Sequence, residues 1–301
     1  QNTYTIDNKG YEIALSWSDN VGKLHYFINF NFSDFRDKVI SLGGIGTTDE
    51  RFGDGLVQIG TNTFLQEGKS RNLFYLYRTD GLFVDQDEID NHAFISSLTR
   101  PGDISFIDIN NDDKISAADM VPDEKGTTPH YFIGLNFGIE FLNFDISAII
   151  NGVGERWDYR NNGGVYLTGV RPTLAIIQSN YDNRWTEENP NKWADQPRLT
   201  QNNWVANTYS TLFTGPCEYH LRNFGYVRVK NLQLGYTIPT NVTNRIKVQK
   251  LRIFLAVENI LTYTPGYTEP IDPESIMNYS AEGSAFFGQP EIYNFGLSVT
   301  F

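Results

Sequence analysis

The sequence of 301 residues predicts an all-β fold of the antiparallel transmembrane β-barrel class. Three observations indicate this class: strands that alternate apolar and polar side chains, connections of two very different lengths, and a C-terminal strand that ends on Phe301. In that last strand one face is apolar throughout. It consists of Tyr293, Phe295, Leu297, Val299 and Phe301. For this segment alone, a plain final strand of a soluble β-sandwich is the alternative, although chain ends of soluble domains tend to fray.

The same period of two residues recurs along the chain. Apolar faces are predicted in segments 11–17, 26–32, 131–141, 144–150 and 251–257. Only Leu142 and Asn143 separate the third segment from the fourth, which predicts a β-hairpin. In segment 226–236 the apolar phase switches near Lys230 and Asn231, which indicates a β-bulge or a change of environment.

Strand 131–141 gives the sharpest prediction of sidedness. We expect its polar positions Asn136 and Glu140 to face the interior. The side chains expected to face lipid are Tyr131, Ile133, Leu135, Phe137 and Ile139. Aromatic residues at strand ends also suit the interfacial girdles of a membrane barrel, although cross-strand packing in any sheet is the alternative. These residues are Tyr131, Phe141, Phe144, Tyr226 and Tyr236.

The connections between strands fall into two classes. Residues 19–22 and 142–143 are short turns, whereas segments 39–72, 85–130, 152–220 and 262–291 are long, polar and rich in aromatic residues. Loops of this length are uncommon in compact soluble domains. Short turns at one end and long extracellular loops at the other are typical of transmembrane barrels.

Composition excludes some classes of function. The 24 Lys and Arg residues are outnumbered by 36 Asp and Glu residues, so nucleic acid is not expected as a partner. Cys217 is the single cysteine, which excludes an intrachain disulfide. None of the four histidines has the spacing of a zinc site or of a nucleophilic triad. We therefore expect no enzymatic activity.

One segment has the oxygen spacing of a calcium-binding loop. From Asp108 onward, carboxylate or amide oxygens occupy the first, third, fifth and twelfth positions of a loop of the EF-hand type. The predicted Ca²⁺ ligands are Asp108, Asn110, Asp112, the carbonyl of Lys114, and Asp119. Asp113 replaces the usual turn glycine, and the closing residue is Asp rather than Glu. An Asx-rich turn without a metal is the alternative.

Aromatic side chains in the long connections are candidates for contact with a ligand or with a covering partner. They are Trp157, Tyr159, Trp185, Trp193 and Trp204. Aromatic faces stack on sugar rings and on peptide side chains. Packing of the loops against themselves is the alternative.

Several segments, taken in order, resemble the C-terminal third of SusC-like TonB-dependent transporters. They are residues 67–69 with 74–83, 101–108 leading into the Asp/Asn loop, 183–190 with 196–198, 226–239, 251–254 with 258–262, and 272–274, followed by the terminal Phe301. The resemblance covers nearly the whole chain. It implies a barrel of about 22 strands in the outer membrane of a Gram-negative, Bacteroidota-like bacterium.

The resemblance also implies parts that this sequence lacks. Residues 1–301 are expected to be the C-terminal part of the barrel, without the plug and the other N-terminal domains. The implied partners are a SusD-like surface lipoprotein, outer-membrane lipid, and the TonB complex acting through the missing N-terminal part.

The implied function is active import of a large nutrient, with a glycan or oligosaccharide as the first candidate substrate. Three alternatives stay open: an importer of peptides, a complete small porin or adhesin barrel, and a soluble carbohydrate-binding β-protein.

Overall fold

The computed structural model describes residues 4–44, 47–49, 53–59, 63–159, 178–199, 217–266, 272–274 and 288–301. No helix in these ranges is long and apolar enough to cross a membrane. The helices are short: α1 (Gln86–Asp90), α2 (Gln178–Asp182) and α3 (Thr240–Thr243), with 3-10 turns at Ala117–Asp119, Glu218–His220 and Asn244–Ile246. The strands are β1 (Thr5–Val21), β2 (Leu24–Ser41), β3 (Thr47–Asp49), β4 (Gly53–Gln58), β5 (Thr63–Gln66), β6 (Leu73–Tyr77), β7 (Thr79–Leu82), β8 (Ile104–Phe106), β9 (Met120–Gly126), β10 (Tyr131–Phe141), β11 (Phe144–Gly154), β12 (Trp157–Tyr159), β13 (Leu221–Asn223), β14 (Tyr226–Thr237), β15 (Lys250–Tyr263) and β16 (Ile292–Thr300).

The largest element is a seven-stranded antiparallel sheet with the order β1-β2-β10-β11-β14-β15-β16. Its register places apolar side chains in continuous rows on one face. One such row crosses six strands and consists of Tyr26, Ile139, Ile146, Leu234, Leu255 and Phe295. In the described part of the chain no second layer covers this face, and Phe295 is 78% exposed. A soluble sandwich would bury such a face, whereas lipid covers it in a membrane barrel.

The opposite face is polar or small in the neighbouring row, apart from Phe254, which lies against Gly296. That row consists of His25, Glu140, Asp145, Gly235, Phe254 and Gly296. Asn136 belongs to the same face, because it pairs with Asn29 and Ile149 rather than with the apolar rows. The alternation predicted for strand 131–141 is therefore confirmed, and contact of its apolar face with lipid stays a prediction.

On the inner face, a glycine of β14 allows a carboxylate of β11 to reach a guanidinium of β15. Asp145 on β11 and Arg252 on β15 form an ion pair of 2.5 Å over Gly235 of the intervening β14. A Cβ atom at Gly235 would lie 2.4 Å from both side chains. The glycine therefore leaves room for the two side chains to meet over β14.

The hairpin and the bulge predicted from the sequence are both confirmed. Phe141 pairs with Phe144 across the Leu142-Asn143 turn. In β14, Lys230 is an extra residue against β11, and the register of β14 with β15 shifts at the same place. The bulge explains the phase switch: Val229 and Leu232 both lie on the apolar face.

Aromatic side chains lie at both ends of the apolar face, as expected for girdles. Phe144 and Tyr236 pack at 4.6 Å at one end, and Phe32 stacks on Tyr131 at 6.2 Å at the other. Tyr226 is an exception to the prediction. It precedes the Lys230 bulge and is therefore on the inner face, where it is buried and its hydroxyl donates a 2.7 Å hydrogen bond to Glu274 of a long connection.

All the long connections leave the sheet at one end, as predicted. They join β2 to β10, β11 to β14, and β15 to β16. The opposite end carries the short β1–β2 and β10–β11 turns and a longer β14–β15 connection that contains α3. The long connections are not bare loops, because strands β3, β4, β5, β6 and β9 form a second sheet within them.

A pair of substitutions tests the sidedness of the sheet. We expect Leu232→Arg, on the apolar face, to destabilise the assembled protein by about 2–4 kcal/mol, and Gln233→Arg, on the inner face, by less than about 1 kcal/mol. Urea unfolding of the protein in lipid vesicles measures both. Equal losses for the two variants would contradict the assignment.

Candidate functional site

The long connections fold into a layer with its own hydrophobic core. We call this layer the loop module; it comprises the described residues within 42–130 and 155–225. Every residue of β6 is buried. The core contains Tyr77, Leu82, Phe83, Ile95, Ile104, Phe106, Ile115, Trp185, Ala194 and Cys217. Because this core is closed by side chains far apart in sequence, the module is a folded body rather than a set of mobile excursions.

A buried ion pair joins the first long connection to the second. The carboxylate of Asp103, which has no exposed surface, binds Arg198 at 2.6 Å and accepts a hydrogen bond from the backbone N–H of Arg100. The N–H of Arg198 donates to the carbonyl of Gly102, and the indole of Trp185 packs on that glycine. Gly102 has a φ of +84°, and a Cβ atom there would collide with Trp185. The two segments therefore fit only with glycine at this position.

A second ionic junction lies behind β6. One Nη atom of Arg78 contacts Asp123 and Glu218 at 2.7 Å each, and Glu218 also accepts from the N–H of Thr79. Burial by itself would lower the pKa of Arg78, but the bonds to Glu218 and Asp123 raise it. The adjacent Cys217 is buried, and burial raises the pKa of its thiol to about 12. The thiol is thus protonated at neutral pH and is not a nucleophile.

The third long connection is clamped to the inner face of the sheet. Arg228 is buried on β14 and binds Asp272 at 2.8 Å and Glu274 at 3.1 Å. Lys230 and Tyr226 also bind Glu274. Burial would raise the pKa of Asp272 and Glu274, but hydrogen bonds and Arg228 hold both pKa values below their usual range. The clamp therefore depends on both carboxylates being ionised.

The structure brings the predicted calcium ligands into one loop. Asp108 accepts hydrogen bonds from the N–H groups of Asn111 and Asp113, and Asp119 is buried and accepts from those of Ile109 and Ser116. Asn110 and Asp112 bind each other at 3.0 Å. No group of three or more carboxylate, imidazole or thiol side chains in the described ranges is arranged to hold a metal. The carboxylates here close the loop on its own backbone; calcium binding stays a prediction.

The candidate aromatic residues occupy different environments. Trp185 is 5% exposed and belongs to the module core, so the structure assigns it to packing rather than to ligand contact. Trp193 is 68% exposed on the module surface. Trp157 is half-buried on β12, with the ammonium of Lys125 4.4 Å from its ring. Tyr159 ends β12, its side chain lying outside the described part, and Trp204 lies outside the described residues.

A charged cleft of about 1070 Å³ lies where the sheet meets the loop module. One wall is formed by the far ends of β1 and β2, and the other by the end of β9 with Trp157. Lys9 and Arg36 line the first wall, and Lys125 lines the second. Sequence reasoning missed this cleft. The available signal was that β1 and β2 keep their alternation beyond the apolar rows but change to charged residues.

No family model matches the chain, but comparison with known proteins finds relatives. TonB-dependent receptor P3 of Formosa agariphila is 27% identical over 287 residues, which are 91% of this chain and 26% of that protein. TonB-dependent receptor P26 of the same organism is 26% identical over 320 residues, covering 100% of this chain and 30% of that protein. Over nearly its whole length the chain is similar to these two TonB-dependent receptors. The resemblance expected from the sequence is thereby confirmed.

Solved structures show the same fold. The structure of the RagAB peptide transporter matches the whole chain with a TM-score of 0.71 at 20% identity, and the chain covers 30% of it. The RagAB peptide importer in its 'closed-closed' state matches with a TM-score of 0.68 at 18% identity. The match confirms the all-β, antiparallel barrel class. The chain spans less than a third of the length of each of these relatives.

The buried pair Asp103–Arg198 is expected to hold the module together. Asp103→Ala leaves Arg198 without its partner and should destabilise the module by about 3 kcal/mol. Hydrogen exchange of segments 101–106 and 184–198 measures this loss. Glu124→Ala, which removes the exposed Lys69–Glu124 pair, is the matched control and should change stability by less than about 1 kcal/mol. Equal protection in the Asp103 variant and wild type would contradict the role of the pair.

The clamp on the inner face should depend on pH. The pKa values of Asp272 and Glu274 are lowered in the folded state, so their contribution is present above the unfolded values of about 4 and is lost as pH falls through the lowered values. We expect protease cleavage near residues 272–274 to rise below about pH 4. Arg228→Gln should give the same cleavage at neutral pH. Cleavage that is independent of both changes would refute the clamp.

Proposed function

We propose that this chain forms part of the wall and the outer loop layer of a TonB-dependent importer in the outer membrane of a Gram-negative, Bacteroidota-like bacterium. The observation that carries the proposal is the seven-stranded sheet with one apolar and one polar face. From Tyr131 to Phe141 the apolar face of β10 extends about 34 Å along the strand, or about 24 Å along the membrane normal at barrel tilt. This matches the apolar band of outer-membrane barrels, which is about 25 Å tall.

Closure of the wall requires more strands than the chain shows. Among the described residues, β1 pairs only with β2, and β16 only with β15. In lipid every backbone N–H and C=O group needs a partner, so both edges must pair with further strands of one barrel. We assign residues 1–301 to the C-terminal part of that barrel. The plug and the segment that contacts TonB are assigned to other sequence of the same protein.

The proposed cargo is a large nutrient that enters through the end of the barrel bearing the loop module. A glycan is the first candidate, since the exposed ring of Trp193 suits a sugar. A peptide is the second, and the likeness to the RagAB peptide transporter favours it. In either case the role of the chain is binding and passage, without chemical conversion of the cargo.

A SusD-like surface lipoprotein is the proposed cover of the loop module. Support comes from the exposed apolar side chains of the module, with Trp193 68% and Phe94 58% exposed. Interface cores are rich in such aromatic residues. Outer-membrane lipid and the TonB complex complete the proposed set of partners.

Uptake into cells tests the function and separates the two cargo classes. We expect a deletion strain to lose uptake of one labelled class, either oligosaccharides or peptides, and a TonB-deficient strain to lose the same class. Trp193→Ala should reduce uptake about tenfold or weaken co-purification of the lipoprotein. Tyr181→Ala, which removes another exposed aromatic residue of the module, is the control. Unchanged uptake of both classes after deletion would refute the proposal.

We also propose that the Asp/Asn loop binds Ca²⁺ through Asp108, Asn110, Asp112, the Lys114 carbonyl and Asp119. Support comes from the placement of these groups in one turn beside the module core, where Ile115 is buried. Excess Ca²⁺ should raise the melting temperature of the protein by a few degrees, and Asp108→Asn with Asp112→Asn should abolish that rise. Asp87→Asn on α1 is the control. A melting temperature unaffected by Ca²⁺ and by chelator would leave only an Asx-rich turn.

A further inference from the structure

The apolar face of the β1–β2 hairpin changes to a basic rim at a defined level. Ile13 and Phe32 form the last apolar pair of the hairpin. Four residues further along the hairpin, Lys9 of β1 lies directly opposite Arg36 of β2 on the same face. Lys38 is the next residue of β2 on that face. Four residues of strand correspond to about 13 Å, or about 9 Å along the membrane normal at barrel tilt. The lipid headgroup layer occupies roughly 5–8 Å beyond each side of the hydrocarbon core, so these long side chains reach it.

The pairing of Lys9 with Arg36 is unfavourable without an anion. Like charges directly opposite each other in a sheet repel. The neighbouring carboxylates compensate weakly, because the Lys9 ammonium is 83% exposed where it meets Asp7 at 3.0 Å, and Arg36 lies 3.9 Å from Asp34. Exposed pairs of this kind contribute little to stability. A bound anion would relieve the repulsion between the two cations.

The basic rim opens into the charged cleft of about 1070 Å³. On the far wall, Lys125 lies over the ring of Trp157 and faces the same space. One oxygen of Asp34 is buried in the near wall and accepts no hydrogen bond from the described groups. A ligand that fits this wall therefore carries an anionic group for the lysines and also a hydroxyl or amine for Asp34.

Three acidic residues of the cleft, Asp37, Asp123 and Glu124, are held by cations that are not part of the basic rim. Asp37 is held by Arg71 at 3.1 Å. Asp123 is held by Arg78 at 2.7 Å. Glu124 is held by Lys69 at 2.9 Å, and Glu155 lies 3.5 Å from His130. These carboxylates therefore contact groups other than the rim cations.

Below the rim lies a support for an acyl chain. Tyr11 and Phe32 lie 6.0 Å apart, and Phe32 stacks on Tyr131 at 6.2 Å, which forms an aromatic row on the outward face. Aromatic rings at this height are typical of the membrane interface. A ligand that reaches both the basic rim and this row is a lipid rather than a soluble anion.

We infer that the cleft binds the phosphate-bearing headgroup of an anionic membrane lipid. Lys9, Arg36 and Lys38 surround the phosphate, and Lys125 approaches it from the module. Asp34 accepts a hydrogen bond from a hydroxyl or amine of the headgroup, and the aromatic row flanks the first part of the acyl chain. This inference rests on the proposed membrane orientation of the sheet. It adds a lipid site that ties the loop module to the membrane surface.

The test uses the full-length protein purified from outer membranes and stripped of lipid in detergent. Binding of dihexanoyl phosphatidic acid is measured by native mass spectrometry, with dihexanoyl phosphatidylcholine and inorganic phosphate as comparison probes. Lys9→Gln with Arg36→Gln should weaken binding of phosphatidic acid at least about tenfold. Lys9→Arg with Arg36→Lys keeps both charges and should retain binding. Lys23→Gln with Arg245→Gln, which removes two charges at the opposite end of the sheet, is the control.

The outcomes separate the lipid site from the membrane orientation. Inorganic phosphate that binds as tightly as phosphatidic acid would overturn the lipid assignment, and so would equal binding by the wild type and the Gln double variant. Quenching of Trp17 fluorescence by brominated acyl chains, measured as the difference from Trp17→Phe, tests the orientation separately. If Trp17 is quenched but the rim variants behave as wild type, only the lipid site fails. If Trp17 is not quenched, the proposed function itself fails.

Discussion

Every strand of the large sheet must keep its apolar side chains in phase with those of its neighbours, and most other features of the structure depend on this constraint. A slip of one residue would turn the apolar set of a strand to the polar face. The β14 bulge shows how the constraint is met. Lys230 shifts the phase of β14 by one residue, so that Leu232 and Val229 both remain on the apolar face. The positive φ of Asn259 on β15 lies where the second register shift occurs.

On the inner face, large side chains pack over glycines of the neighbouring strand. Phe27 lies over Gly138 and Phe254 over Gly296, with contacts that leave no room for a Cβ atom. The ion pair over Gly235 follows the same arrangement. The rings and the ion pair therefore lie flat along the inner wall instead of projecting from it. These side chains therefore leave the space inside the wall unfilled.

The alternation of side chains predicts the faces of the sheet, the hairpin and the bulge, because each depends on residues that are close in sequence. The loop module could not be predicted in this way. Its ties join residues far apart in the chain, such as Asp103 and Arg198, and no local period marks them. For the same reason Trp185 and Trp193 look alike in the sequence, although one is buried and the other exposed. The calcium spacing is a local pattern, but whether its oxygens bind a cation or the loop backbone depends on energies that spacing does not encode.

Strand β2 links the membrane-facing sheet to the loop module without a flexible joint. Its first part carries the apolar rows, and its middle carries Asp34 and Arg36 at the rim. Its last part enters the module, where Val39 is fully buried and exchanges two 2.8 Å backbone hydrogen bonds with residues 68 and 69. Backbone ladders of this kind transmit position rigidly, whereas a loop would not. The height of the module above the lipid is therefore set by the length of one continuous strand, and any ligand held at the rim acts on a module whose position is already fixed.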